Sequence, residues 1–215
     1  MELSINLFMT LDGVSQGPGG PDEDPRNGFT RGGWLMPSFD DGCGDTVSGW
    51  FERSGALLLG RRTFDTFASH WPHVTDPTDL VADRINNHRK YVVTSTPTGE
   101  TWSDTTTVPG EDLVTEITRL KEVDSDLELQ VHGSIQLARS LHRAGLVDVY
   151  RFLIAPVVLG QGAGIFDGDG PARGMRIESS RMTDSGNHAV VMRPQDIATP
   201  LRAGIRDGRD VIVEA

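Results

Sequence analysis

The sequence predicts an α/β protein built on a mostly parallel central sheet, with antiparallel strands along its C-terminal edge. Three observations lead there. Strand-sized apolar runs alternate with segments of helical period through the first three quarters of the chain, the pattern of parallel strands joined by crossover helices. From Met175 to Met192, two strand-like runs instead flank Asp184-Ser185-Gly186-Asn187, a hairpin signal that makes this edge antiparallel. Finally, 215 residues with 37% hydrophobic content fill one core but not two ordinary domains.

Taken in order, residues 2 to 9 alternate as a strand, with Leu3, Ile5 and Leu7 on one face. A segment dense in Gly, Pro and Asp follows, from Asp12 to Cys43. A loop of this length inside a compact domain is functional or disordered, and Phe29, Trp34, Leu35, Met36 and Phe39 within it imply that it packs. Helical spacing resumes at Val47, Trp50 and Phe51, with Gly55 as C-cap. Ala56 to Leu59 reads as a buried strand ending at Gly60. A short helix from Thr63 stops before Pro72, another spans Thr78 to Asn87, and a strand covers Lys90 to Thr94.

After Pro109-Gly110, Leu113, Val114, Ile117 and Leu120 share a helix face. Glu111 and Asp112 stand at the start of that helix, and Arg119 and Lys121 near its end, which suits the helix dipole. Strand Glu128 to Val131, helix Ser134 to Arg143 (capped near Gly145) and strand Val147 to Leu159 complete the alternation. Residues 1–194 form one domain. Residues 195–215 are a polar extension ending in Val211-Ile212-Val213, which adds an edge strand or meets a second subunit.

Composition excludes several classes. Net charge is −11, from 20 basic and 31 acidic residues, and such a surface repels nucleic acid while serving solubility. A small anionic ligand remains compatible, since local arginines outweigh distant charge beyond a Debye length of about 8 Å. No apolar window approaches the roughly 20 residues of a membrane helix. The start, Met-Glu-Leu-Ser-Ile-Asn, lacks a signal peptide's basic and apolar blocks, so the expected location is cytoplasmic. Cys43 is the one cysteine, which excludes an internal disulfide and cysteine-rich zinc sites.

Two strand-to-helix junctions carry the candidate chemistry. In Leu59-Gly60-Arg61-Arg62-Thr63-Phe64, the glycine admits a close backbone approach, the helix start offers N–H groups and the arginines offer forked hydrogen bonds, all suited to phosphate. The same residues also describe a Thr-capped helix with two solvated arginines. In Val131-His132-Gly133-Ser134-Ile135, a small-residue turn again opens a helix, either as a second phosphate site or as an ordinary Ser-capped turn. Two such sites in one sheet would suit a dinucleotide lying across the strands' carboxyl ends. Thr10-Leu11-Asp12-Gly13 is a tight turn, or else it sets the Asp12 carboxylate at a cleft mouth to orient substrate or relay a proton.

Other signals are decoys. Gly160-Gln161-Gly162-Ala163-Gly164 has Ile165 where a dinucleotide fingerprint needs glycine, and it reads as a turn between strands. Asp167-Gly168-Asp169-Gly170 lacks the remaining ligands of a calcium loop. His70 and His73 read as a solvated helix end rather than metal ligands.

In this order, Met9-Thr10-Leu11-Asp12-Gly13, Leu58 to Phe64, Tyr91-Val92-Val93-Thr94-Ser95, Val131 to Ser134, and Gly145-Leu146-Val147-Asp148 through Pro156 to Gly160 resemble the dihydrofolate-reductase-like family. The branch is the one related to the reductase domain of bacterial riboflavin biosynthesis. The resemblance covers the chain to about Arg193, and it implies a three-layer fold and NADPH as cofactor. It assigns Gly60, Arg61, Arg62 and Thr63 to phosphates, and Thr94 and Ser95 to the neighbourhood of the adenosine 2′-phosphate. His132, Gly133, Ser134 and Ile135 are assigned to the pyrophosphate, and Thr10, Asp12 and Gly13 to the nicotinamide and substrate.

The chain departs from the family at His132-Gly133-Ser134, where two or three glycines are common. It also lacks the deaminase zinc signature of the bifunctional enzyme, and the long Gly17 to Asp41 loop argues against folate. The expectation is an NADPH-dependent reductase passing hydride to a small polar or heterocyclic molecule. Asp12 is its catalytic candidate, and Trp34, Phe39 and Trp50 are either its substrate wall or ordinary packing. A nucleotide- or flavin-binding protein without turnover is the alternative, and a homodimer is the expected assembly.

Overall fold

A computed structural model of the chain describes residues 1–96, 102, 104–166, 168 and 170–214, the last by its backbone alone. Strand β1 (Glu2–Thr10) is followed by the long loop, then α1 (Asp41–Phe51), β2 (Ser54–Gly60), α2 (Arg61–His70), α3 (Leu80–Asn87) and β3 (Arg89–Val93). Next come β4 (Thr105–Val108), α4 (Leu113–Lys121), β5 (Glu128–His132), α5 (Ile135–Arg143) and β6 (Val149–Ala155). Finally, β7 (Gly174–Met182) and β8 (His188–Gln195) form one hairpin, and β9 (Leu201–Arg206) and β10 (Arg209–Glu214) another.

Among the described residues, eight strands form one sheet in the order β4-β3-β2-β5-β1-β6-β8-β7. The first six are parallel, and β8 runs antiparallel to both its neighbours. Helices α4 and α5 cover one face through Leu113, Ile117, Leu120, Leu137, Ala138 and Leu141, which pack on Leu3, Ile5, Leu7 and Leu58. Helices α1, α2 and α3 cover the other through Phe51, Phe64 and Ile85, against Leu57, Leu59 and Val92. The three layers match the fold expected from the sequence.

The first loop is packed, as its aromatic residues imply. Val14, Phe29, Trp34 and Leu35 join Cys43 and Trp50 of α1 in a cluster over Leu153, Ala155 and Ala189. Beside that cluster the α1 face of the central strands is polar and still buried. Arg151 donates to both oxygens of Glu128 (2.6 and 2.7 Å) and to Asn6 Oδ1 (3.2 Å). Arg53 donates to the same carboxylate (2.6 Å), and Gln130 Nε2 to the Trp50 carbonyl (2.6 Å). Burial alone would raise the Glu128 carboxyl, but hydrogen bonds and charge from Arg151, with Arg53, hold it down at about 2.

Several sequence expectations shift. Gly55 is no helix cap, because α1 ends at Phe51 and Gly55 lies inside β2, where a Cβ would stand 2.8 Å from Leu127 Cβ. Asp79 caps α3 by accepting from Ala82 N (2.9 Å), so that helix starts later than expected. The exposed edge strand β4 carries three threonines before its one buried residue, Val108, and gives no apolar signal. Val114 is exposed although it neighbours the buried Leu113. Strand β6 stops at Ala155, before Pro156, so Val157 to Leu159 belong to the next turn. Among the described residues, 201–214 add no edge to the large sheet and pair only with each other.

Candidate cofactor site

Strands β3, β2, β5 and β1 are consecutive in the sheet, and their carboxyl ends lie side by side. Four segments far apart in sequence therefore meet on one edge. Thr94 and Ser95 follow β3, Gly60 to Thr63 follow β2, His132 to Ile135 close β5, and Thr10 to Gly13 close β1.

Gly60 ends β2 and is also the N-cap of α2, with an extended backbone and no side-chain cap. The helix starts at Arg61, so Thr63 sits inside its first turn and does not cap it. The β5 junction is tighter, with Gly133 and Ser134 both left-handed (φ +64° and +55°). Ser134 precedes α5 but gives that helix no side-chain cap. Its hydroxyl instead accepts from Gly60 N (2.8 Å) and donates to Thr63 Oγ1 (2.7 Å), which ties the two junctions together. The starts of α2 and α5 thus keep backbone N–H groups without side-chain caps, the partial positive charge that favours an anion.

Between these junctions lies a cleft of about 410 Å³. Gly60, Arg61, Arg62, Thr63, Ser134 and Gln136 line it, with apolar walls from Val93, Leu113 and Leu137 and with Arg26 reaching in from the first loop. Arg61 donates from Nε to both oxygens of Asp65 (2.9 Å) and from Nη1 to Thr96 Oγ1 (3.3 Å). That bond leans Arg61 toward the end of β3. There, Thr94 Oγ1 accepts from Thr96 N (3.1 Å), and Ser95 is exposed. Arg62 is exposed.

Other sequence candidates occupy different surroundings. Thr10 Oγ1 donates to Asp12 Oδ1 (2.6 Å), while Leu159 N (3.2 Å) and Gly160 N (2.7 Å) donate to the same carboxylate. The Thr10 hydroxyl first, then the Gly160 amide, hold the Asp12 carboxyl below the usual carboxylate range. Asp12 so braces the β1 turn, with left-handed Gly13 in it, against the turn after β6.

His132 points away from the cleft into the α1 layer. It stacks on Phe51 at 4.1 Å between ring centroids and bonds Gln130 Oε1 through Nε2 (2.9 Å). Burial, helped by the charge of Arg151, pushes its imidazole down to about 3, so it is neutral. Trp34 and Trp50 are buried in the loop cluster, Trp34 donating from Nε1 to the Gln16 carbonyl (2.8 Å), whereas Phe39 is exposed. Among the described residues no His, Cys, Asp and Glu cluster could hold a metal, and Asp167 and Asp169 lie outside them.

Arg26, Gln136 and Ser140 line the cleft without having been singled out in the sequence. Gln136 and Ser140 follow from the start of α5 by helical spacing. Arg26 sits in Asp24-Pro25-Arg26-Asn27-Gly28, which reads only as a turn.

Residues 2–191 match the family described as the RibD C-terminal domain. The chain belongs to that family. A Bacillus subtilis relative, the uncharacterized protein YyaP, is 25% identical over 188 residues, spanning 87% of this chain and 92% of its own length. A protein of Shewanella sp. PV-4, provisionally named for riboflavin biosynthesis, has a similar structure (TM-score 0.59, 16% identity, 91% of this chain and 99% of that one). So does a pyrimidine reductase-like protein of Corynebacterium diphtheriae (TM-score 0.58, 10% identity, 91% and 92%).

The diaminohydroxyphosphoribosylaminopyrimidine deaminase/5-amino-6-(5-phosphoribosylamino)uracil reductase of Thermotoga maritima also aligns (TM-score 0.56, 16% identity). Ninety per cent of this chain then covers 56% of that protein. In fold, this RibD C-terminal-domain chain is similar to those proteins. The match leaves out residues 192–215, which include the β9-β10 hairpin. Among the described residues, no helix is long and apolar enough to cross a membrane.

Proposed function

We propose that the chain binds NADPH along the carboxyl edge of the sheet and passes hydride to a small polar or heterocyclic substrate. One observation carries this reading: the Gly60 and Gly133-Ser134 junctions, cross-linked through the Ser134 hydroxyl, open two uncapped helix starts onto one arginine-lined cleft. The residues present suit a dinucleotide. A Cβ at Gly60 would stand 3.2 Å from Ser134 Oγ, and left-handed Gly133 takes a backbone conformation that favours glycine, so both junctions stay bare. When bound, NADPH supplies the hydride.

The chain's own residues hold and orient. Arg61, with Thr94 and Ser95, faces the adenosine 2′-phosphate, while Arg62, Thr63, Gly133, Ser134 and Ile135 take the diphosphate. Thr10 and Gly13 border the nicotinamide. Asp12 is a positioning residue that fixes the Leu159-Gly160 turn beside them, and His132 supports the β5 junction from beneath. Holding donor and acceptor in line is the protein's contribution to rate.

A second reading, nucleotide or flavin binding without turnover, draws on the commitment of the catalytic candidate Asp12, and of the neighbouring His132, to structural bonds. Asp12 is ionised and braced, and His132 is buried and neutral.

Titration of the purified protein with NADPH and NADH, followed by tryptophan quenching or nicotinamide fluorescence, tests the reading. Saturable binding that favours NADPH and weakens in Arg61→Ala/Arg62→Ala supports it, and no binding of either nucleotide refutes it. Tight binding with no oxidation by any acceptor selects the second reading. Two copies are expected to pair, and light scattering behind size exclusion checks this.

A further inference from the structure

The long first loop sends one side chain into the cleft, Arg26, and the turn that presents it is built from buried bonds. Gln16, 3% exposed, donates from Nε2 to the carbonyls of both Asp24 (3.0 Å) and Arg26 (3.1 Å). Its Oε1 accepts from Ala163 N (3.0 Å), and its own carbonyl takes the Trp34 indole N–H (2.8 Å). Asn27 and Gly28 then reverse the chain in left-handed conformations, which drops Phe29 into the core. Arg26 is thus pinned on both sides.

Its guanidinium is aimed as well. Asp24 accepts from Arg26 Nε and Nη2, a fork that engages one edge of the planar group. The outer edge, with Nη1, has no partner among the described residues, and Arg26 lines the cleft that the starts of α2 and α5 also line. The Asp24 carboxyl is held low mainly by Arg26, with a smaller contribution from Arg62. In a chain of net charge −11, Arg26, Arg61 and Arg62 converge on one cleft from two separate segments.

We propose that Arg26 is a ligand for the bridging diphosphate of the dinucleotide, supplied by the first loop so that the cofactor is held between that loop and the two helix starts. The inference rests on the cofactor reading above. Hydrogen bonding divides the cations: Arg61 leans to Thr96 and the 2′-phosphate side, whereas Arg26 lines the cleft that the uncapped helix starts, suited to the diphosphate, also line. Asp24 acts as a positioning residue that holds the fork in place.

The test is titration of the full-length wild type, Arg26→Ala, Arg26→Gln and Arg61→Ala/Arg62→Ala with NADPH and with NADH, with thermal melts to confirm folding. Both Arg26 variants are expected to weaken NADPH and NADH equally, by about 10-fold, the scale of one charge-assisted hydrogen bond. The dependence of affinity on salt should flatten with them. Wild-type-like affinity in both folded Arg26 variants, alongside weakened Arg61→Ala/Arg62→Ala, overturns the assignment and leaves the cofactor reading standing. A loss confined to NADPH also overturns it, since Arg26 would then serve the 2′-phosphate. Failure of the wild type to bind either nucleotide removes the cofactor reading and Arg26's role with it.

Discussion

His132 stands at the end of β5, just before the left-handed Gly133-Ser134 turn, and its orientation can be read from acid stability. Stacked on Phe51 and bonded to Gln130, the ring is neutral in the folded chain with its pKa at about 3, against about 6.5 when unfolded. A base depressed on folding contributes stability that is complete above the unfolded pKa and is lost as pH falls toward the folded one. Each pH unit below 6.5 therefore costs about 1.4 kcal/mol, or about 2 kcal/mol between pH 6.5 and pH 5 from this residue alone.

His88 and His142 are also depressed by burial, so the wild type alone does not isolate the effect. His132→Gln does. Its lost stacking costs the same at every pH, but the stability difference from wild type should shrink by about 2 kcal/mol as pH drops from 6.5 to 5. Urea unfolding at half-unit steps from pH 7.5 to 5 reads this directly. Parallel stability curves for wild type and variant would refute the buried orientation and return His132 to the cofactor turn.

Three further outcomes follow from the same geometry. Ser134→Ala removes two hydrogen bonds between the cleft junctions and should lower stability by about 1 to 2 kcal/mol in denaturant titration, with weaker NADPH binding by fluorescence. Glu128→Ala leaves Arg151 buried without its carboxylate, a change expected to cost about 3 to 5 kcal/mol in urea midpoints. In the wild type the Glu128 contribution is present above pH 4.5 and is lost as pH falls from there toward 2. Gly164→Ala would drive a Cβ into the Gly13 carbonyl, so calorimetry should show a lowered melting temperature, as the β1 turn and the turn after β6 cannot both keep their places.

The parts of the site that the sequence made legible are local ones. Gly60-Arg61-Arg62-Thr63 and Gly133-Ser134 stand out because a buried strand, a small residue and a helix start are consecutive in the chain, and each is set by neighbours a few residues away. The hydroxyl of Ser134 illustrates where that reasoning stops. Ser before a helix reads as a cap, yet its bonds go to Gly60 and Thr63, more than seventy residues away in sequence. Asp12 reads as a turn residue or an acid, and only the amides of Leu159 and Gly160 reveal what its carboxylate holds. Trp34 and Trp50 read as a possible wall and are packed together as core.

By itself, then, the sequence determined the α/β class, the alternation that makes most of the sheet parallel, the C-terminal hairpin and the two glycine-containing strand-to-helix junctions. Each depends on periodicity or short-range backbone chemistry written in contiguous residues. Tertiary structure alone decided that β3, β2, β5 and β1 lie next to one another, that Arg26 faces the cleft, and that β9 and β10 pair apart from the sheet. It also turned His132 inward, and buried Glu128 against Arg151. Those outcomes depend on which distant segment supplies the partner for a strand edge, a charge or a hydroxyl, and partners far apart in the chain are chosen by packing rather than by local pattern.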